Sequence, residues 1–189
     1  RRFKSEDVFR NFGVTLSDFL GGRVVDIAVE GREHAEAARA VGRGVLVLTS
    51  HLGNWELGGR VLADWGWPVT AVFQPYKSRA MQRFIQKRRA PTLRYLAVGR
   101  GAAHGVGKVL KNHGSVVMLA DRPFGEDGAT VTLCGRPARL PRGPFLFACR
   151  FNTPVIPGFV VMDRPGHYRT IVEAPLWPEG PDAVKNLMD

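Results

Sequence analysis

The segment GVLVLTSHLGNWELGG, residues 44–59, passes from an unbroken apolar run through a histidine and a glycine into a helix-forming stretch. Residues 44–50 are Val- and Leu-rich without alternation, the pattern of a strand buried on both faces of a parallel sheet. Residues 55–66, WELGGRVLADWG, read as a helix. The LGN between them turns the chain: Gly53 allows a tight turn and close backbone approach, and Asn54 is suited to cap the helix. In an open α/β sheet, ligands bind beyond the carboxyl ends of the strands, which is where His51 falls. Glu56 then lies in the first helical turn, its carboxylate within reach of the loop. Two readings follow. In one, Glu56 accepts a hydrogen bond from one imidazole nitrogen and leaves the other to take a substrate proton, while free N–H groups at the helix start serve an oxyanion or a phosphate. In the other, His51 is a satisfied loop histidine and Glu56 only favours the helix dipole.

Outward from this segment, strands and helices alternate. Helical patterns cover residues 5–20, 32–41, 78–94, 102–114 and 143–152, and strand patterns cover 24–30, 68–74, 94–99, 115–121 and 129–135. In the first helix, Val8, Phe9, Phe12, Leu16, Phe19 and Leu20 fall on one face. PVIPGFVVM and HYRTIVEAP, near the C-terminus, read as a hairpin. This order predicts an α/β fold: one domain over residues 1–189, a largely parallel central sheet flanked by helices, and antiparallel additions near the C-terminus.

With 189 residues and 44% apolar content, the chain can bury a real core. Its net charge of +10 favours acidic partners: nucleic acid, an anionic membrane surface or an acidic carrier protein. The aromatics are not interleaved with the basic residues and no recognition-helix motif occurs, which argues against a nucleic-acid-binding module. Cys134 and Cys149 match no metal spacing and make no disulfide framework. No apolar run approaches the roughly 20 residues of a spanning helix. The chain opens on Arg1-Arg2 and stops within the helix-like DAVKNLMD, so both ends are expected to be trimmed, with any membrane anchor outside this window.

Three further groups carry chemistry. Asp121 and Arg122 end a buried strand and should face the same crevice as His51, with Asp121 able to assist the base or hold the loop. Arg136, Arg139 and Arg142 recur in GRPARLPRGP just before a helix starting near Pro144. Guanidinium groups grip phosphates in bidentate fashion, and a helix N-terminus favours anions; the alternative is a solvated basic loop. The helix over 78–94 bears Arg79, Arg83, Lys87, Arg88, Arg89 and Arg94, a basic face suited to an acidic carrier protein or anionic headgroups. Trp65 and Trp67 divide between a membrane interface and the core.

GVLVLTSHLGNWELGG resembles the first motif of the bacterial lipid A biosynthesis acyltransferases (lauroyl and myristoyl transferases), within the wider lysophospholipid and glycerolipid acyltransferase superfamily. The block GSVVMLADRPFGEDGATVTLCGRPARLPRGPFLFACRFNTPVIP, residues 114–157, resembles the later part of the same family, and FRNFGVTLSDFL and VEGREH also fit. The resemblance implies a glycerolipid acyltransferase-like domain, with His51 as general base and Glu56 as its partner. It implies transfer of an acyl group from a thioester, on acyl carrier protein or coenzyme A, to a hydroxyl of a lipid A precursor or related glycolipid. It implies a peripheral or anchored position at the cytoplasmic face of the bacterial inner membrane, with no metal or cofactor and no acyl-enzyme. Gly53, Asn54, Asp121, Arg122, Arg136, Arg139 and Arg142 form the expected substrate-binding set. Two departures concern the acceptor: Asp121-Arg122 replaces the family's usual Asp-Gln, and Gln74 replaces an arginine. A related branch acts on mannosylated phosphatidylinositol. A hydrolase cleaving lipids or thioesters with the same His51–Glu56 pair is the main alternative.

Overall fold

The computed structural model describes residues 4–89, 91–123, 128–180 and 182–188. Its centre is a sheet of seven strands: β1 (Asp26–Glu30), β2 (Val45–Thr49), β3 (Val69–Phe73), β4 (Arg94–Ala97), β5 (Ser115–Leu119), β8 (Val155–Arg164) and β9 (His167–Val172). The order is β1-β9-β8-β2-β5-β3-β4. All neighbours are parallel except β8 and β9, the expected C-terminal hairpin. A separate antiparallel ribbon joins β6 (Gly128–Leu133) to β7 (Arg136–Pro141). The helices are α1 (Ser5–Gly21), α2 (Arg32–Ala40), α3 (Trp55–Asp64), α4 (Arg79–Arg88), α5 (Ala102–Lys111), α6 (Gly143–Phe151) and α7 (Ala183–Asn186).

The absence of alternation in β2 has its cause in this layering. Val45 and Val47 face one side of the sheet, packing with Ala35 and Ala38 of α2 and with Trp67, Val69, Leu93, Ile156 and Val172. Leu46 and Leu48 face the other, packing with Val106 and Leu110 of α5, Phe145 and Ala148 of α6, and Val116 and Met118 of β5. A strand covered on both faces has no solvent side to mark with polar residues. Full burial of a residue such as Leu46 contributes about 1.5–3 kcal/mol.

Two expectations are corrected, and the facing of α1 is settled. Residues 136–141 form a strand instead of a basic loop. The basic helix stops at Arg88, and Arg94 opens β4. In α1 the apolar stripe is turned outward: Val8, Phe9, Phe12 and Leu16 are exposed, while Thr15, Asp18 and Phe19 are buried. In the family-like block, the glycine-bearing stretch after Asp121 falls largely on residues 124–127, outside the described residues.

The turn between β2 and α3 is fixed by close backbone approach. Gly53 has φ 64° and forms a bridge to Val160, and a Cβ at position 53 would collide with the Val160 carbonyl. Both constraints exclude a side chain. Gly53→Ala is expected to destabilise the fold by at least about 1–3 kcal/mol, read as a lower urea midpoint. An unchanged midpoint would contradict the described turn.

Candidate active site

β2 and β5 leave the sheet side by side. Thr49 pairs with Leu119, and the Ala120 N–H extends the ladder to the Thr49 carbonyl at 2.8 Å. Two residues beyond each strand, His51 and Asp121 therefore meet. The Asp121 carboxylate accepts from His51 Nδ1 at 2.9 Å (Oδ1) and from the His51 backbone N–H at 3.2 Å (Oδ2). A carboxylate only accepts, so this contact places a proton on Nδ1, and in the neutral ring Nε2 keeps its lone pair. Trp55, at the start of α3, meets the imidazole edge-on, with ring centroids 4.9 Å apart. The two side chains are 34% and 30% exposed, open enough to meet a ligand.

Glu56 has another partner. Its carboxylate accepts two hydrogen bonds from Arg89, at 2.6 Å from Nη2 and 2.9 Å from Nε. The pair is largely buried, and the guanidinium also lies over the rings of Phe73 and Tyr95 at 5.5 and 5.3 Å. Burial opposes the Arg89 charge, but the Glu56 hydrogen bonds and charge outweigh it and raise the pKa above the ordinary arginine value. Burial pushes the Tyr95 hydroxyl up to about 12, against the Arg89 charge, which lowers it. Tyr95 is thus neutral. Arg89, expected on the exposed basic face, instead points inward and closes a neutral ion pair on the wall of the site.

Asn54 also departs from its expected roles. It is buried, its backbone N–H donates to the Val160 carbonyl at 2.8 Å, and its side-chain amide donates to the Thr15 carbonyl of α1 at 3.0 Å. It precedes α3 without a side-chain cap bond. Beside it, the Tyr168 hydroxyl donates to the buried Asp18 carboxylate at 2.7 Å. Burial first, and then Asp18, push the Tyr168 pKa up to about 12. Gly53 and Asn54 thus hold the turn that presents His51.

His51, Glu56, Arg89 and Arg122 line a cavity of about 860 Å³, within the usual range for small-molecule sites of roughly 300–1,000 Å³. Gln74, Tyr76, Trp65 and Trp67 border it too. The three arginines of the GRPARLPRGP segment do not converge there. Arg136 and Arg139, an odd number of residues apart on β7, fall on opposite faces of the ribbon. Arg142 precedes α6 and borders a separate cavity of about 550 Å³ with Cys149 and Lys185. Arg122, exposed at the mouth, is the one arginine of the expected set that lines the cavity with His51. Among the described residues no cluster with metal-ligand composition occurs.

The family model described as "Bacterial lipid A biosynthesis acyltransferase" matches residues 18–189. The chain is 29% identical over 139 residues to the phosphatidylinositol mannoside acyltransferase of Mycobacterium tuberculosis, a match covering 71% of this chain and 44% of that protein. It is 29% identical over 102 residues to the lipid A biosynthesis palmitoleoyltransferase of Escherichia coli, covering 54% and 33% respectively. In each case the match spans less than half the curated relative. Among solved structures, the 1-acyl-sn-glycerophosphate acyltransferase PlsC of Thermotoga maritima aligns with a TM-score of 0.50 at 15% identity, over 98% of this chain and 78% of that one. This likeness concerns the fold.

The ion-pair geometry has a measurable consequence. Glu56→Gln leaves the Arg89 cation buried without its counter-charge, and loss of one partner of a buried pair costs about 3–5 kcal/mol. The variant should unfold at clearly lower urea, while Asp121→Asn, at a half-exposed contact, should cost about 1 kcal/mol or less. Equal stability of the two variants would contradict the pairing.

Proposed function

This chain belongs to the bacterial lipid A biosynthesis acyltransferase family, and we propose that it forms the catalytic core of an O-acyltransferase moving a fatty acyl group from a thioester to a hydroxyl of a bacterial glycolipid. The observation that carries this reading is the Asp121-held imidazole at the rim of an apolar-walled cavity. His51 Nε2 takes the proton of the acceptor hydroxyl as its oxygen attacks the thioester carbonyl. The C–O bond forms, the carbonyl electrons move to oxygen, and their return expels the thiolate. The imidazolium then returns the proton to the leaving sulfur. Asp121 supports the cation formed midway. No acyl-enzyme is required. Glu56 acts through Arg89, fixing the wall beside the imidazole with a pair of no net charge.

The thioester is carried by acyl carrier protein or coenzyme A. Arg79, Arg83, Lys87 and Arg88 are exposed along α4, and an acidic carrier or anionic headgroups complement them. The acceptor is a lipid A precursor or a related glycolipid such as a mannosylated phosphatidylinositol, following the two kinds of relative. The exposed residues Val8, Phe9, Phe12 and Leu16 of α1 lie on a helix in contact with α4, where Met81 and Phe84 are exposed too. An apolar surface beside exposed cations suits the face of an anionic bilayer, which fits the cytoplasmic side of the inner membrane. No helix among the described residues is long and apolar enough to cross a membrane.

Radiolabelled acyl thioester with each glycolipid acceptor tests the reaction. His51→Ala and Asp121→Asn should each lower kcat by about 10²-fold or more, with acyl-lipid as the product of the parent enzyme. Free fatty acid as sole product would replace the transferase by a hydrolase, and near-normal turnover of His51→Ala would remove the base. For the membrane face, Phe9→Ser combined with Phe12→Ser is expected to reduce co-sedimentation with phosphatidylglycerol vesicles severalfold. Undiminished co-sedimentation would place the contact elsewhere.

A further inference from the structure

We propose that α5 and α6 form a docking face for an acidic soluble protein that carries the acyl thioester, on the side of the sheet away from α1 and α4. This rests on the acyl-transfer reading of the site. The sheet divides the helices. α2 and α3 pack with Trp67 and Leu93 on one face. The Glu56–Arg89 pair and the contact between α4 and α1 bring those two helices to the same side. α5 and α6 cover the other face through Val106, Leu110, Phe145 and Ala148. Residues of both sides line the cavity with His51: Glu56 and Arg89 from one, Ala102, Ala103 and Phe147 from the other.

The outward surface of α5 and α6 is cationic. In α5, Val106 and Leu110 point to the core, which turns His104, Lys108 and Lys111 to solvent. In α6, Pro144, Phe145 and Ala148 are buried, which turns Leu146 and Arg150 outward. The two helices approach closely: a Cβ on Gly107 would stand 3.1 Å from the Phe151 ring. Arg100, exposed in the turn before α5, extends the row toward the cavity. Residues 98–114 and 143–152 contain no aspartate or glutamate. Among the described residues, Arg100, Lys108, Lys111 and Arg150 have no ion pair. Cations in the last turn of a helix ease its dipole, which accounts for Lys108, Lys111 and Arg150 one by one. It does not account for the lack of any carboxylate across two neighbouring helices. On α7, which packs against α6, the exposed Asp182 is offset by the exposed Lys185.

The two cationic faces differ in what accompanies the charge. Around α4 the cations stand beside the exposed Met81 and Phe84 and the exposed apolar residues of α1, a combination that suits a bilayer. On α5 and α6, Leu146 is the one large apolar side chain that is exposed. That face attracts anions but has little to insert among lipids. Lys108 and Lys111 lie about 7.5 and 12 Å along α5 from Ala103 at the cavity. Separate cations strung over two helices match distributed carboxylates on a protein surface better than a single phosphate group. A thioester borne on an extended arm reaches His51 from there. The acceptor lipid and the donor then approach from opposite sides of the sheet, and neither blocks the other.

Fluorescence anisotropy of a labelled acyl carrier protein bearing a hexadecanoyl thioester reads the docking without requiring turnover. Lys108→Glu, Lys111→Glu and Arg150→Glu combined should weaken binding at least roughly tenfold, with co-sedimentation on phosphatidylglycerol vesicles unchanged. Glutamine at the same three positions should give a smaller loss at the parent's unfolding temperature, which guards against misfolding of the charge-reversed protein. Arg79→Glu, Arg83→Glu and Lys87→Glu combined should reduce vesicle binding and keep the carrier protein. The proposal is overturned if the parent does not bind the carrier protein or if the α4 variant is the one that loses it. It is overturned equally if the α5–α6 variant binds the carrier as the parent does, or loses the vesicles instead. Charge-dependent docking on a protein that transfers no acyl group would retain the face and reject the transferase.

Discussion

A hydrogen bond between groups at the ends of two adjacent parallel strands organises the candidate site. His51 Nδ1 donates to Asp121 at 2.9 Å because β2 and β5 run in register and the chain leaves both at the same level. Without that register the imidazole would have no fixed tautomer, and Nε2 would have no defined direction. The contact depends on burial far from the site: β2 is held in place by apolar side chains on both faces, and its rigidity is what aims the loop.

The turn behind His51 is secured from the opposite side. Gly53 and Asn54 bond or abut the backbone of Val160, and Asn54 reaches across to the Thr15 carbonyl of α1. With Asp18 bonded to Tyr168, these contacts explain why α1 presents a polar side to the protein and an apolar side outward. The helix with the exposed apolar face is thus bonded to the turn that carries His51. The Glu56–Arg89 pair supplies the wall next to it, held by hydrogen bonds, two aromatic faces and burial together.

Much of this was legible in the sequence. The unbroken GVLVLTS run announces a buried parallel strand, and the glycine turn announces a ligand-facing end; His51 follows from those two facts. Asp121 was accessible by the same reasoning at the end of SVVMLAD. The partner of Glu56 was not. Arg89 sits in a run of basic residues, and nothing local distinguishes it from Arg88; only packing 33 positions away brings it to the carboxylate. Both the spacing across the turn and the family pattern pointed to a His51–Glu56 pair. β7 was hidden by its prolines, which a two-stranded ribbon tolerates because both of its strands are edges. Periodicity found α1 but could not say that its apolar face points outward, because that depends on buried polar partners far along the chain, Asn54 and Tyr168.

The protonation of the His51 ring tests the central claim most directly. Nitrogen-15 NMR of histidine-labelled protein, with His51 assigned by its absence in His51→Ala, reports which ring nitrogen carries the hydrogen in the neutral form. A hydrogen on Nδ1 and a bare Nε2, with that preference lost in Asp121→Asn, is the predicted result. A hydrogen on Nε2 in the parent protein, or a tautomer indifferent to Asp121, would contradict the account.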